Sequence, residues 1–107
     1  MTSTDEGTIP ARVVTAVDAT VDPSREAELI AGFQSMIDEP TPDGLLRSEL
    51  LRGQDGAWRI QTTWRDFDSL MALRRSGARH AAVELLDRVE AEHTHAWFTV
   101  EKAFELD

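Results

Sequence analysis

The sequence predicts an α+β domain whose elements run β-α-β-β-α-β, the ferredoxin-like order with a four-stranded antiparallel sheet. Three observations predict it. Strand-like alternation and helix-like periodicity succeed one another along the chain in that order. An Asp-Gly pair within "GQDG" (53–56) joins the two middle strands as a hairpin. The chain has 107 residues, 41% of them hydrophobic, which is enough for one modest core and no second domain.

The first strand is "RVVTAVDATV" (12–21), β-branched and alternating. Val13, Thr15, Val17, Ala19 and Val21 share one face; Arg12, Val14, Ala16, Asp18 and Thr20 share the other. The period then changes in "DPSREAELIAGFQSMIDEP" (22–40). Asp22 caps a helix with Pro23 at its first position, and Leu29, Ile30, Phe33, Met36 and Ile37 form its apolar stripe. Pro40 and Pro42 end it. "GLLRSELLR" (44–52) and "AWRIQTTWR" (57–65) are the hairpin strands, the second setting Trp58, Ile60, Thr62 and Trp64 against Arg59, Gln61, Thr63 and Arg65. A helix over 66–77 pauses at Ser76-Gly77 and resumes over 78–93, with Ala78, Ala82, Leu85, Leu86 and Val89 on one face. "AWFTVEKAFE" (96–105) closes the sheet, Trp97 opposing Phe98. Residues 1–11 read as a flexible lead-in and 12–107 as the domain.

Composition removes several functions. No cysteine is present, so disulfides, thiolate metal sites and cysteine nucleophiles are excluded. The net charge is −9, with acidic residues along the whole chain, which argues against nucleic acid and against an anionic membrane surface. No apolar run approaches the ~20 residues of a membrane span. "MTSTDEGTIPA" lacks the basic and apolar regions of a signal peptide, so a cytoplasmic location is expected. Ten arginines stand against the single Lys102, a bias of GC-rich bacterial coding.

Two helices can cover one face of a four-stranded sheet, yet both faces carry apolar residues. The cheapest cover for the second face is another copy of the same sheet, so a homodimer is expected.

The segment "TTWRDFDSLMAL", followed by a helix with "SGARHAAVELL" and a closing strand, resembles the antibiotic biosynthesis monooxygenase-like proteins. Trp64-Arg65-Asp66 at the end of the third strand and Leu70 on the following helix carry the likeness, and the topology matches over 12–105. The resemblance implies a dimeric α/β barrel with a pocket between sheet and helices. It also implies a range of activities. These run from cofactor-independent oxygenation of aromatic phenols and quinols to haem degradation, alongside members without activity. The haem-degrading branch places an Asn on the first strand, a Trp on the second helix and an axial His beyond it. Those places fall here to Val17, Leu73 and Ala82, and the chain has no Asn, so no haem and no other cofactor is expected.

The implied pocket is assigned to Trp64, Val17, Leu73, Ala82 and Phe33, around a hydrophobic or aromatic small molecule. His80 is the candidate general base, placed to take a phenolic proton and form the anion that reduces dioxygen. On a continuous helix from 78 it points instead towards Glu84 and Asp87, and the break at Ser76-Gly77 leaves both orientations open. The runner-up function is a non-catalytic binding module that uses the same dimer and pocket. In "EHTHAWF" (92–98), Glu92, His93 and His95 are too few and too local for a metal site; they read as a polar turn before the last strand. Arg47, Arg59 and Arg65 read as members of ion pairs across the sheet.

Overall fold

The strands and helices alternate as the periodicity dictates. In the computed structural model, which describes residues 11–76, 81–104 and 106, β1 (Val13–Thr20) leads through a 3₁₀ turn (Pro23–Arg25) into α1 (Glu26–Ile37). The hairpin β2 (Leu45–Arg52) and β3 (Ala57–Trp64) follows, then α2 (Phe67–Arg75), α3 (Ala81–Arg88) and β4 (His93–Thr99). The sheet order is β2-β3-β1-β4, all antiparallel, which is the ferredoxin-like arrangement. Residues 1–10 of the expected lead-in lie outside the described residues.

Local chemistry sets the joints. Asp22 accepts a hydrogen bond from the Ser24 amide at 2.9 Å, with Pro23 at the first position of the turn. At the hairpin, Asp55 and Gly56 both have positive φ (56° and 81°), and the Ala57 amide donates to the Gln54 carbonyl at 3.0 Å. That is the mirror-image turn whose twist matches paired strands. Asp66 caps α2 by accepting from the Ser69 amide at 2.8 Å.

The register assigns the two faces. On the inner face, rows of partners run Leu45-Trp64-Val13-Thr99, Ser48-Thr62-Thr15-Trp97, Leu50-Ile60-Val17-His95 and Arg52-Trp58-Ala19-His93. The helices close over this face. Val17, Trp58 and Ile60 pack with Leu29, Leu85, Leu86 and Val89, and Phe33 joins them from α1. A smaller cluster joins Val13 and Trp64 to Leu70 of α2. Gly32 brings α1 against α3, since a side chain there would collide with Leu85.

Two features depart from the sequence reading. The last strand begins at His93 and ends at Thr99, three residues earlier than expected at its start, so "HTH" is strand and not turn. The second helical stretch ends at Arg88, not 93. The Ala91 amide reaches the Leu86 carbonyl and the Glu90 amide the Asp87 carbonyl, both at 3.0 Å, with Glu90 at φ 58°. This is a Schellman ending with a glutamate where glycine is usual, and Arg25 adds a bond to the Arg88 carbonyl at 2.9 Å. The alternation of β4 agrees with the sequence reading: Trp97 stands on the inner face against Phe67 (ring centroids 5.3 Å apart), and Phe98 is on the outer face.

Candidate functional site

Among the described residues, two cavities lie between sheet and helices, and Leu73 of α2 lines both. The larger, about 580 Å³, is floored by Trp64, Thr62 and Ser48 and walled by Leu73 and Ala82, with Pro40 and Pro42 at its rim. The smaller, about 320 Å³, lies over β1 and β4 and is lined by Thr15, Val17, Leu70, Leu73, His95 and Trp97, with Arg74 beside them. Both volumes fall within the range of small-molecule sites.

The elements place these side chains for identifiable reasons. Trp64 ends β3 on the inner face and is 1% exposed; its indole N–H donates to the Thr15 hydroxyl at 3.2 Å. Ser48 and Thr62 share a hydrogen bond of 3.1 Å between their hydroxyls. A buried polar strip therefore crosses the inner face beneath otherwise apolar walls, and its groups are paired as burial demands. Leu70 and Leu73 are carried by α2, whose first turn is anchored by Asp66 and Arg65. The Asp66 carboxylate accepts from both the hydroxyl and the amide of Ser69, at 2.7 and 2.8 Å, and these bonds hold its pKa below the usual aspartate value; Arg65 adds to the effect. Arg65 bonds Asp43 at 3.1 Å, and that bond raises the guanidinium's own pKa further.

The sequence-assigned pocket residues separate in space. Trp64, Leu73 and Ala82 line the larger cavity, Val17 and Leu73 the smaller, and Phe33 packs into the main core. His80 lies outside the described residues. Arg47 pairs with Glu49 along β2 at 2.9 Å, and Arg59 grips Asp18, its direct neighbour on β1, through two bonds of 2.7 and 3.1 Å. Arg65 pairs with Asp43 and Asp66.

One group was misread from sequence alone. His93 and His95 lie on the inner face of β4, and a hydrogen-bonded chain runs from Asp87 Oδ1 to His93 Nε2 (2.9 Å) and from His93 Nδ1 to His95 Nε2 (2.9 Å). The two rings stack with centroids 4.9 Å apart. Alternation could have found them, because His93, His95, Trp97 and Thr99 continue one face of a strand once it is started at 93. Among the described residues no cluster of three or more His, Asp or Glu side chains has metal-site geometry.

The comparisons with known proteins agree with this architecture. The profile of the antibiotic biosynthesis monooxygenase family matches residues 12–85. The chain belongs to that family. SnoaB of Streptomyces nogalater, a cofactor-independent oxygenase, superimposes with a TM-score of 0.59 at 20% identity, over 87% of this chain and 96% of that one. A protein of unknown function from Nitrosomonas europaea gives 0.68 at 13% identity, over 92% and 98%. A candidate antibiotic biosynthesis monooxygenase from Deinococcus radiodurans gives 0.67 at 13% identity, over 89% and 98%. At these identities the likeness is one of fold. No curated protein sequence matches the chain.

Proposed function

We propose that this protein is a monooxygenase of the cofactor-independent kind, acting on an electron-rich aromatic phenol or quinol held between the sheet and its helices. The observation that carries the reading is the family match over residues 12–85, joined to an aromatic and aliphatic site of suitable size around Leu73. The protein's part is to bind the ring, exclude water and take the phenolic proton. The phenolate then reduces dioxygen directly. The phenolic hydrogen, the ring hydrogen at the attacked carbon and one oxygen atom leave as water. The other oxygen stays as a quinone carbonyl, so a four-electron oxidation of the ring matches the four-electron reduction of dioxygen.

The reading includes a homodimer. Among the described residues no helix covers the outer face of the sheet, which carries Val14, Leu51, Ala96 and Phe98. Phe98 is 53% exposed, and Val14 and Phe98 are direct neighbours. A second copy of the same face would bury them.

The test is oxygen uptake by metal-free, flavin-free protein supplied with a dihydroxyanthracene or a naphthoquinol. Uptake that saturates with substrate and scales with protein supports the reading; uptake no faster than in buffer sinks it. One observation favours the runner-up, a non-catalytic module for a hydrophobic ligand. Among the described residues, those lining the larger cavity include Glu39, Arg47 and Glu84 and no imidazole. Tight binding of such phenols without turnover would select that reading.

A further inference from the structure

The inner face of β4 holds titratable groups that the family resemblance did not single out. Asp87, His93 and His95 form a continuous chain whose last member lines the smaller cavity. The donors along it follow from its first link. An ionised carboxylate can only accept, so His93 Nε2 carries the hydrogen bound for Asp87. A neutral His93 must then accept at Nδ1, which makes His95 Nε2 the donor to it. His95 is left with its lone pair on Nδ1. Each ring is thereby held in one tautomer by its neighbour. His93 is itself sheltered, its side chain 16% exposed, whereas Asp87 is 46% exposed.

The cavity beside His95 suits a phenolic ring. Val17, Leu70 and Leu73 give it apolar contact and Trp97 an aromatic one, and the Arg74 guanidinium stands among the lining residues. A cation at the cavity favours the anionic form of a phenol. Among the described residues, the charged or titratable groups around His95 are Arg74 from α2, Asp87 from α3 and His93 on the same strand; β1 presents Thr15 and Val17.

We infer that His95 is the general base for an acidic aromatic hydroxyl bound in the 320 Å³ cavity, with His93 and Asp87 as positioning residues that fix its tautomer and carry the charge it gains. The proton moves from the phenol oxygen to His95 Nδ1, leaving the phenolate beside Arg74. His95 becomes an imidazolium whose Nε2–H still donates to His93, with the Asp87 carboxylate at the end of the chain. This inference rests on the proposed oxygenation for its purpose, but the proton transfer can be measured without oxygen.

The experiment uses a nitrophenol, mixed anaerobically with full-length protein at a pH where it is neutral in buffer. Wild type is expected to show the phenolate absorption band on binding. His95→Gln is expected to bind with the band at least about tenfold weaker, and to lower turnover of a neutral phenol by about 10² or more. A substrate already ionised in buffer should be turned over by His95→Gln at close to the wild-type rate. Asp87→Asn, which keeps His95 and removes the anion, should lower kcat while KM and melting temperature hold. Undiminished phenolate formation in a folded His95→Gln protein overturns the inference, as does failure of wild type to ionise the bound phenol. If oxygenation persists unchanged in His95→Gln, the base assignment falls and the monooxygenase reading stands. If nothing is oxygenated but the phenolate band depends on His95, the base stands and the monooxygenase reading falls.

Discussion

Replacing Gly44 by alanine should be the most damaging small change in this protein. Gly44 precedes β2 at φ +88°, and a Cβ built on it falls inside Ser69 Oγ and Cβ. Its carbonyl also accepts from the Arg65 amide at 2.7 Å, so the backbone cannot easily retreat. Ser69 is 7% exposed and holds the first turn of α2 through Asp66. A positive φ costs alanine about 1–2 kcal/mol. Overpacking adds about 1–3 kcal/mol, and the stiffer unfolded chain returns about 0.5–1 kcal/mol. The net loss is about 1–4.5 kcal/mol. For a domain of this size that is a fall in melting temperature of roughly 5 °C or more. Urea denaturation of Gly44→Ala beside Gly53→Ala would measure it; Gly53 lacks the left-handed φ and has 3.2 Å to the nearest side chain, so its change should be milder. Because α2 carries Leu70 and Leu73, the Gly44 variant should also bind phenols more weakly. A Gly44→Ala protein as stable as wild type would refute the close approach of this loop to α2, and with it the seating of the cavity wall.

Light scattering after size exclusion should give twice 12.0 kDa at micromolar concentration, and Phe98→Glu should yield monomers of lower stability, since an obligate interface resembles a divided core. Monomeric wild type would remove the dimer. Asp66→Asn should lower the melting temperature at pH 7. The folded-state pKa of Asp66 lies below the ordinary value of 3.8, so its contribution is complete above that value and is lost as pH falls through the folded one. The difference from wild type should therefore close in strong acid, and a constant difference down to pH 2 would contradict the assignment. Titration with haemin should give no sharp stoichiometric Soret shift, because Val17, Leu73 and Ala82 stand where the haem-degrading relatives are expected to carry Asn, Trp and His; one-to-one binding with an imidazole-ligated spectrum would show that another histidine serves.

Much of the fold was legible because each joint had a local chemical cause. The Asp55-Gly56 turn set the hairpin, the alternation of Trp58, Ile60, Thr62 and Trp64 set the buried face of β3, and Asp66 marked the start of α2. The errors also have causes. The end of α3 was invisible because Glu90, not glycine, occupies the left-handed position, and because Arg25, far away in sequence, bonds the Arg88 carbonyl. With the helix read too long, "HTH" seemed to be a turn. β4 is an edge strand that opens on the polar His93-Thr94-His95, so its first half alternates without the apolar residues that advertise a strand. The site suffered most, since the Asp87–His93–His95 chain needs both the helix end and the strand start in the right place. The Gly44–Ser69 approach and the division of the pocket residues around Leu73 depend on tertiary contacts that no local pattern encodes.

Isotope labelling tests the central claim most directly. Metal-free, flavin-free protein would be given a neutral dihydroxyanthracene that keeps hydrogen at the ring carbon para to a hydroxyl, under ¹⁸O₂, and product, water and oxygen uptake followed together. The account predicts one dioxygen consumed per substrate, one labelled oxygen in the quinone, the other in water, and a rate unaffected by chelator. Unlabelled quinone, or label that appears only after metal or flavin is restored, would contradict it.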